Sequence, residues 1–168
     1  MTIVIAGTGH RPDKLVPGNR QAGYTNATLA ALIGLAEKEL DLLQPGEVIS
    51  GVALGWDTAL AIAAIRRGIP LTCAVPFEGQ ESRWPQESQD RYNKILSKAK
   101  AVVVVSEGGY SAQSMQVRNE WMTDRAQKLL ALWNGTPGGT RNCLDYAEKV
   151  AVPARNIWPL WVEVLASL

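Results

Sequence analysis

The sequence predicts an α/β fold, a three-layer sandwich with a mostly parallel sheet between two layers of helices. Three observations carry this: short β-branched or apolar runs recur, segments of helical period separate them, and small, glycine-bearing stretches fall where each run ends. Such alternation implies right-handed crossovers between parallel strands, which leave helices on both faces of the sheet.

Taken in order, the runs are Thr2 to Ala6, Glu47 to Ser50, Leu71 to Val75, Ala101 to Ser106 and Leu129 to Trp133, each long enough for a buried strand. Thr25 to Leu43 sets Leu29, Leu32, Ile33, Ala36, Leu40 and Leu43 at helical spacing, and Pro45 and Gly46 end it. Ala53 to Arg67 is a second helix of Ala, Leu and Ile, closed by Gly68. Pro85 to Lys98 carries Tyr92, Ile95 and Leu96 at the same period, and Ala112 to Gln127 carries Met115, Trp121 and Met122. The tail after Val150, with Trp158, Pro159, Leu160, Trp161 and Val164, is apolar enough to cover the sheet or to serve a homodimer or higher homo-oligomer.

At 168 residues the chain has the length of one domain, expected over residues 1–168, and needs no staples to bury a core. Seventeen Lys and Arg face 16 Asp and Glu, so the global field that draws general nucleic-acid binders to phosphate is missing. That balance argues against nucleic acid as a partner and makes any anion site local. The stretch Met1 to Gly7 is too short for the apolar core of a signal peptide, and nothing approaches the roughly 18 apolar residues of a membrane span. Cys73 and Cys143 stand in unrelated contexts, and no Cys or His spacing suits a metal. Reduced thiols, a cytoplasmic location, no membrane partner, no metal and no resident cofactor are the expectations.

In a parallel sheet, ligands bind beyond the carboxyl ends of the strands, where helix amino termini offer unpaired N–H groups to anions. The loops there read GTGHRP, SGVALGWD, PFEGQES, SEGGYS and NGTPGGT. In the first, Gly7 and Gly9 ease a sharp turn, Thr8 offers a hydroxyl, and Arg11 a planar fork for phosphate or carboxylate. His10, the sole histidine, is either a ligand contact or a hydrogen-bonded structural residue. In the second, Ser50 and Gly51 turn the chain and Gly55 allows close approach. Asp57 caps a helix or accepts from ribose hydroxyls, and Trp56 stacks on a base or plugs the core.

Gly109 and Tyr110 would shape the mouth of a pocket, with Tyr110 a stacking ring, while Arg118 and Asn119 stand near a helix start where a phosphate or sugar would meet them. In the last loop Asn134, Gly135, Gly138 and Gly139 can turn successive N–H groups toward one point, and Thr140 is expected to cap the following helix and to donate its hydroxyl. Gln80, Glu81, Ser82, Arg83 and Trp84 form either a lid or a plain connection.

Gly-Thr-Gly-His-Arg-Pro, Ser-Gly-x-Ala-x-Gly-x-Asp-Thr and Arg118-Asn119 together resemble the SLOG superfamily of Rossmann-like nucleotide-binding proteins, its YpsA-like branch above all, over about the first 150 residues. The second string alone resembles the DNA-processing protein A family, which handles single-stranded DNA. Met115-x-x-Arg118-x-x-x-Met122 followed by Pro137-Gly138-Gly139-Thr140 resembles the Lonely-Guy branch, which cleaves the N-glycosidic bond of nucleoside monophosphates.

That last resemblance implies a catalytic arginine at Arg118 and a phosphate loop at Gly138, Gly139 and Thr140. It also implies a glutamate just past the loop, but this chain has Asn142 and Cys143 there. An oxocarbenium-like transition state needs a carboxylate, so hydrolysis would require Glu120, Glu87 or Asp57 to supply it. Of these, Glu120 is the candidate paired with Arg118 as catalytic. The expected function is therefore binding of a nucleotide or nucleotide-derived small molecule, such as an ADP-ribose-type signal. The alternatives are a nucleoside 5′-monophosphate N-glycoside hydrolase and a single-stranded DNA-binding module.

Overall fold

The computed structural model describes residues 2–17 and 25–168. Along the chain run β1 (Val4–Gly9), α1 (Pro12–Leu15), α2 (Asn26–Leu43), β2 (Glu47–Ser50), α3 (Trp56–Arg66), β3 (Leu71–Val75) and α4 (Gln86–Lys98). They are followed by β4 (Ala101–Val104), α5 (Ala112–Asp124), β5 (Lys128–Leu132), α6 (Gly139–Lys149), β6 (Ala154–Asn156) and α7 (Trp158–Ala166).

The six strands lie in the order β4-β3-β2-β1-β5-β6, and every neighbouring pair is parallel. Successive strands step outward from β1 to β4, and the chain then crosses back to place β5 on the other side of β1. The order reverses there, and the diverging crossovers open a crevice between the loops after β1 and β5.

Two apolar clusters sandwich the sheet. One joins Ile5, Val48, Cys73, Val75 and Leu130 to Leu32, Leu60, Ile95 and Trp161 of α2, α3, α4 and α7. The other joins Ala6, Ile49, Ala74 and Leu129 to Met122, Cys143 and Ala147 of α5 and α6. Alternate residues of one strand thus feed opposite layers, as the period of two requires.

β1 runs three residues beyond its expected end, so Gly7, Thr8 and Gly9 are strand rather than loop, paired in register with Leu130, Ala131 and Leu132 of β5. Three elements, α1, β6 and α7, were not among those read from the sequence. The tail resolves into covering: Trp161 of α7 is fully buried and its Nε1 donates to the Leu15 carbonyl at 2.8 Å. Among the described residues, no helix is long and apolar enough to cross a membrane.

Candidate functional site

At the crevice, β1, α3, α5 and the head of α6 enclose a cleft of about 380 Å³. Its wall includes Thr8, Arg11, Lys14, Asp57, Arg118 and Thr140.

The floor is a buried polar cluster. Arg118 is 4% exposed, and its Nη1 donates to the carbonyls of Gly51 at 2.8 Å and Ala74 at 3.2 Å, while Nε donates to Asn119 Oδ1 at 3.3 Å. The Gly51 carbonyl also accepts from Gln80 Nε2 at 3.1 Å. Val52, next along, is fully buried at φ 47°, a conformation that β-branched residues rarely adopt. Its N–H donates to Ser50 Oγ at 3.0 Å, and that hydroxyl donates to the Asp57 carbonyl at 2.8 Å. A strained turn is thus held by the groups around it.

Burial pushes the Asp57 carboxyl up to about 6, against the pull of Arg118, a backbone donor at Ala53, and Arg11. Burial likewise lowers the Arg118 guanidinium from its ordinary value, and Asp57 opposes that shift. Each charge favours the ionised form of the other.

Glycine has a packing role here. A methyl at Gly9 would stand 2.6 to 2.8 Å from Trp56, and one at Gly7 would strike Leu60, so the absent Cβ atoms let α3 lie against β1. At Gly51 it would meet Arg118 Cζ at 2.6 Å and Asp57 Oδ2 at 2.9 Å. Gly55, at φ 93°, brings its backbone onto the His10 carbonyl. Trp56 is wholly buried with its Nε1 donating to the Leu130 carbonyl at 3.2 Å, which makes it a core residue and removes it as a stacking ring.

His10 lines the cleft but is tethered. Its Nε2 lies 2.8 Å from Asn134 Oδ1 and 3.0 Å from the Asn134 amide nitrogen, and its ring meets Trp158 edge-on. Burial pushes the imidazole below its ordinary value and Lys14 adds to this, while Asn134 and Asp13 pull the other way. His10 therefore ties the β1 loop to the β5 loop.

The rim is open. Gly138, at φ 146°, precedes α6 and gives it no side-chain cap, so the N–H groups of Gly139, Thr140 and Arg141 have no acceptor within the helix, whose first bond is Asn142 N–H to the Gly138 carbonyl at 3.0 Å. By contrast, α5 is closed by reciprocal bonds between Ser111 and Ser114. Thr140 is therefore not the cap the sequence suggests, because it falls inside the first turn of α6; 8% exposed, it lines the cleft, and its hydroxyl bonds to no described residue. Lys14 Nζ stands 3.4 Å from the Pro137 carbonyl, at the same place. Asn119 Nδ2 reaches the Gly139 carbonyl at 3.4 Å and so joins α5 to the head of α6.

The structure gathers Gly7, Thr8, Gly9, His10, Arg11, Asp57, Tyr110, Arg118, Asn119, Gly138, Gly139 and Thr140 around the cleft. Ser50, Gly51, Gly55 and Trp56 stand behind it as support, and Gly109, Asn134 and Gly135 lie off its wall. Glu120 is not brought in; its Oε2 accepts from Gln116 Nε2 at 3.2 Å on the α5 surface. Glu87 pairs with Arg91 on α4 at 3.3 Å. Asn142 lines the cleft while Cys143 is buried beneath it, 3.7 Å from Thr123 Oγ1, with its thiol pushed up by burial.

Asp13, Lys14 and Met115 were not singled out as cleft residues. Pro12 followed by Asp13 is a helix-start signal that would have set Lys14 one turn from the β1 loop. Among the described residues, no group of three or more His, Cys, Asp or Glu could hold a metal ion.

Comparisons with known proteins agree with this architecture. The SPbeta prophage-derived protein YoqJ of Bacillus subtilis (strain 168) is 31% identical over 128 residues, covering 67% of this chain and 74% of that protein. A UPF0398 protein of Bacillus cereus (strain AH820) is 28% identical over 157 residues, covering 87% and 83%.

Two solved structures share the fold. DNA processing protein A from Streptococcus pneumoniae matches at a TM-score of 0.64 and 15% identity, over 91% of this chain and 49% of that one. DNA processing protein A from Helicobacter pylori matches at 0.62 and 16%, over 91% and 64%. The chain thus spans about half of the first structure and under two thirds of the second.

The Helicobacter structure is described as showing a single-stranded DNA binding mode. The expectation that balanced charge argues against nucleic acid as a partner is therefore corrected: net charge sums over the whole surface, whereas a strand meets only a local groove. The model of the YspA SLOG family (YpsA) matches residues 31–157, and the chain belongs to that family.

Proposed function

We propose that the cleft binds a nucleotide or nucleotide-derived small molecule, with a phosphate at the head of α6. The observation that carries this is the conjunction at one point of an uncapped helix amino terminus, a Thr140 hydroxyl bonded to no described residue, and Lys14 Nζ. Anion oxygens would accept from the α6 N–H groups and the Thr140 hydroxyl, with the Lys14 charge and the helix dipole adding to the attraction. Met115 and Met122 give an apolar wall for a base, and Tyr110, 73% exposed at the mouth, gives a ring. Asp57, on the cleft wall, would accept from sugar hydroxyls.

The test is a thermal-shift panel of nucleoside 5′-monophosphates, ADP-ribose, the phosphate-free nucleosides and a short single-stranded oligonucleotide, in low and high salt. A phosphorylated nucleotide should raise Tm by mass action, about 2.7 kcal/mol at a hundredfold excess over Kd. The matching nucleoside should not, and Thr140→Ala should weaken binding roughly fivefold to tenfold, one hydrogen bond's worth. A shift with nucleosides as large as with nucleotides would remove the phosphate from the reading. A shift with the oligonucleotide alone, lost in high salt, would replace the reading with strand binding.

One observation favours a second reading, N-glycoside hydrolysis. Asp57 is a carboxylate inside the cleft, held near 6, where it can take up or release a proton near neutrality. Release of free base from a nucleoside monophosphate, abolished in Asp57→Asn, would establish it.

A further inference from the structure

His10 is the sole histidine of the chain, and one nitrogen of its ring meets two opposite groups of a single residue. Nε2 lies 2.8 Å from Asn134 Oδ1 and 3.0 Å from the Asn134 amide nitrogen. The oxygen end of that side chain is fixed, because Oδ1 accepts from the Thr136 N–H at 3.0 Å and lies 2.6 Å from the Thr136 hydroxyl. Nε2 cannot serve both groups at once. Without a proton it accepts from the Asn134 N–H and opposes Oδ1; with a proton it donates to Oδ1 and opposes the N–H.

Partners elsewhere decide the resting form. Oδ1 already has both Thr136 donors, whereas the Asn134 N–H has no other acceptor among the described residues. The free site therefore leaves Nε2 bare and the ring's one proton on Nδ1, which bonds to no described residue. Each form satisfies one contact and frustrates the other, which makes the ring a two-position element.

The charges that bear on the ring are Lys14 and Asp13, both of α1; the other charged residues on the cleft wall are Arg11, Asp57 and Arg118. Trp158 of α7 and Asn134 of the β5 loop, which touch the ring, do not titrate. Burial and Lys14 hold a second proton off, while Asn134 and Asp13 favour it. Lys14 Nζ also stands 3.4 Å from the Pro137 carbonyl, at the head of α6. One lysine thus serves both the ring and the anion site. An anion that neutralises it removes a charge opposing the imidazolium and adds an attraction of its own.

Resting on the reading that an anion sits at the head of α6, we propose that His10 couples that site to the proton: anion entry draws one proton from solvent onto Nε2, and the Asn134 bond passes from its N–H to its Oδ1. The ring becomes an imidazolium, with Nδ1–H left to donate to the guest. The turn from Asn134 to Thr136, which leads into Gly138, is reset whenever the site fills. Because the filled site holds the extra proton more tightly than the empty one, affinity climbs as pH falls, by up to about tenfold per pH unit between the two titration midpoints.

A sole histidine gives one pair of ring-nitrogen resonances, so long-range proton–nitrogen correlation NMR of the full chain reads the form directly, in chloride and in sulfate at matched ionic strength. The ring's own signal separates its proton from that of Asp57, which titrates at about 6. In chloride at neutral pH the proton should be on Nδ1. In sulfate the ring's midpoint should rise by roughly half a unit to one unit, and sulfate affinity, followed at the Gly139 and Thr140 amides, should climb as pH falls. His10→Gln should flatten that climb. A proton on Nε2 in chloride overturns the proposal, as does a climb that His10→Gln leaves intact. A ring midpoint that sulfate does not move, while the Gly139 and Thr140 amides do move, also overturns it and leaves the anion site standing. Amides that sulfate does not move remove the anion site and the proposal with it. Should His10→Gln fail to fold, the native ring decides.

Discussion

On the β1 and β2 side of the cleft, a methyl added at Gly7, Gly9, Gly51 or Gly55 meets Leu60, Trp56, the Arg118 guanidinium or the His10 backbone. On the β4 and β5 side, one added at Gly108, Gly109, Gly135 or Gly139 meets nothing within 4 Å. The same residue type makes a close-packed floor in one half and leaves a clear rim in the other. Glycine-rich loops at strand ends are therefore not one kind of feature. Some are needed for what lies behind them, and others leave room for what comes from outside.

Four substitutions would break or sharpen that contrast. Arg118→Ala should cost the most, about 3–5 kcal/mol in urea unfolding, because it leaves the Asp57 charge buried, takes the side-chain donor from the Ala74 carbonyl and removes one of two from the Gly51 carbonyl. A loss below about 1 kcal/mol would mean that the floor is wetter than its burial implies. Gly9→Ala should follow at about 1–3 kcal/mol, since three Trp56 atoms lie 2.6 to 2.8 Å from the new carbon and Trp56 is fully enclosed.

Asp57→Asn gives a pH signature. The folded carboxyl sits at about 6, above its ordinary value of 3.8, so the native state holds its proton more tightly. The stability this contributes is full below the unfolded value and is lost as pH rises through about 6. Relative to the native chain, the amide variant should therefore gain in Tm between pH 4 and pH 7, and a pH-independent difference would place Asp57 in contact with water. Gly139→Ala should change stability least, by about 0.5 kcal/mol or less, because its methyl has open space. If it costs as much as Gly9→Ala, the rim is packed after all.

Much of the fold was legible because fully buried strands leave a compositional trace. Glu47–Ser50 and Leu71–Val75 stand where their apolar runs put them. β6 has no such trace, since Ala154, Arg155 and Asn156 are all exposed and show no alternation. For the site, the strand-end loops located the cleft, and Arg118, Asp57 and Thr140 meet there. What chain order could not give was function by position. Gly7 and Gly9 read as easing a sharp turn, yet both lie in β1 and the space beside them belongs to Leu60 and Trp56, about fifty residues on. Glu120 read as a partner of Arg118 through nearness in sequence, but two residues along a helix point to different sides.

Arg118 has one further consequence for whatever enters the cleft. With Nη1 committed to two carbonyls and Nε to Asn119, only Nη2 makes no bond to a described residue. The planar fork that arginine usually offers an oxyanion is here reduced to a single prong on an immovable post. A guest would have to bring one oxygen to that prong, and a side chain so anchored cannot swing out to follow a poorly fitting one.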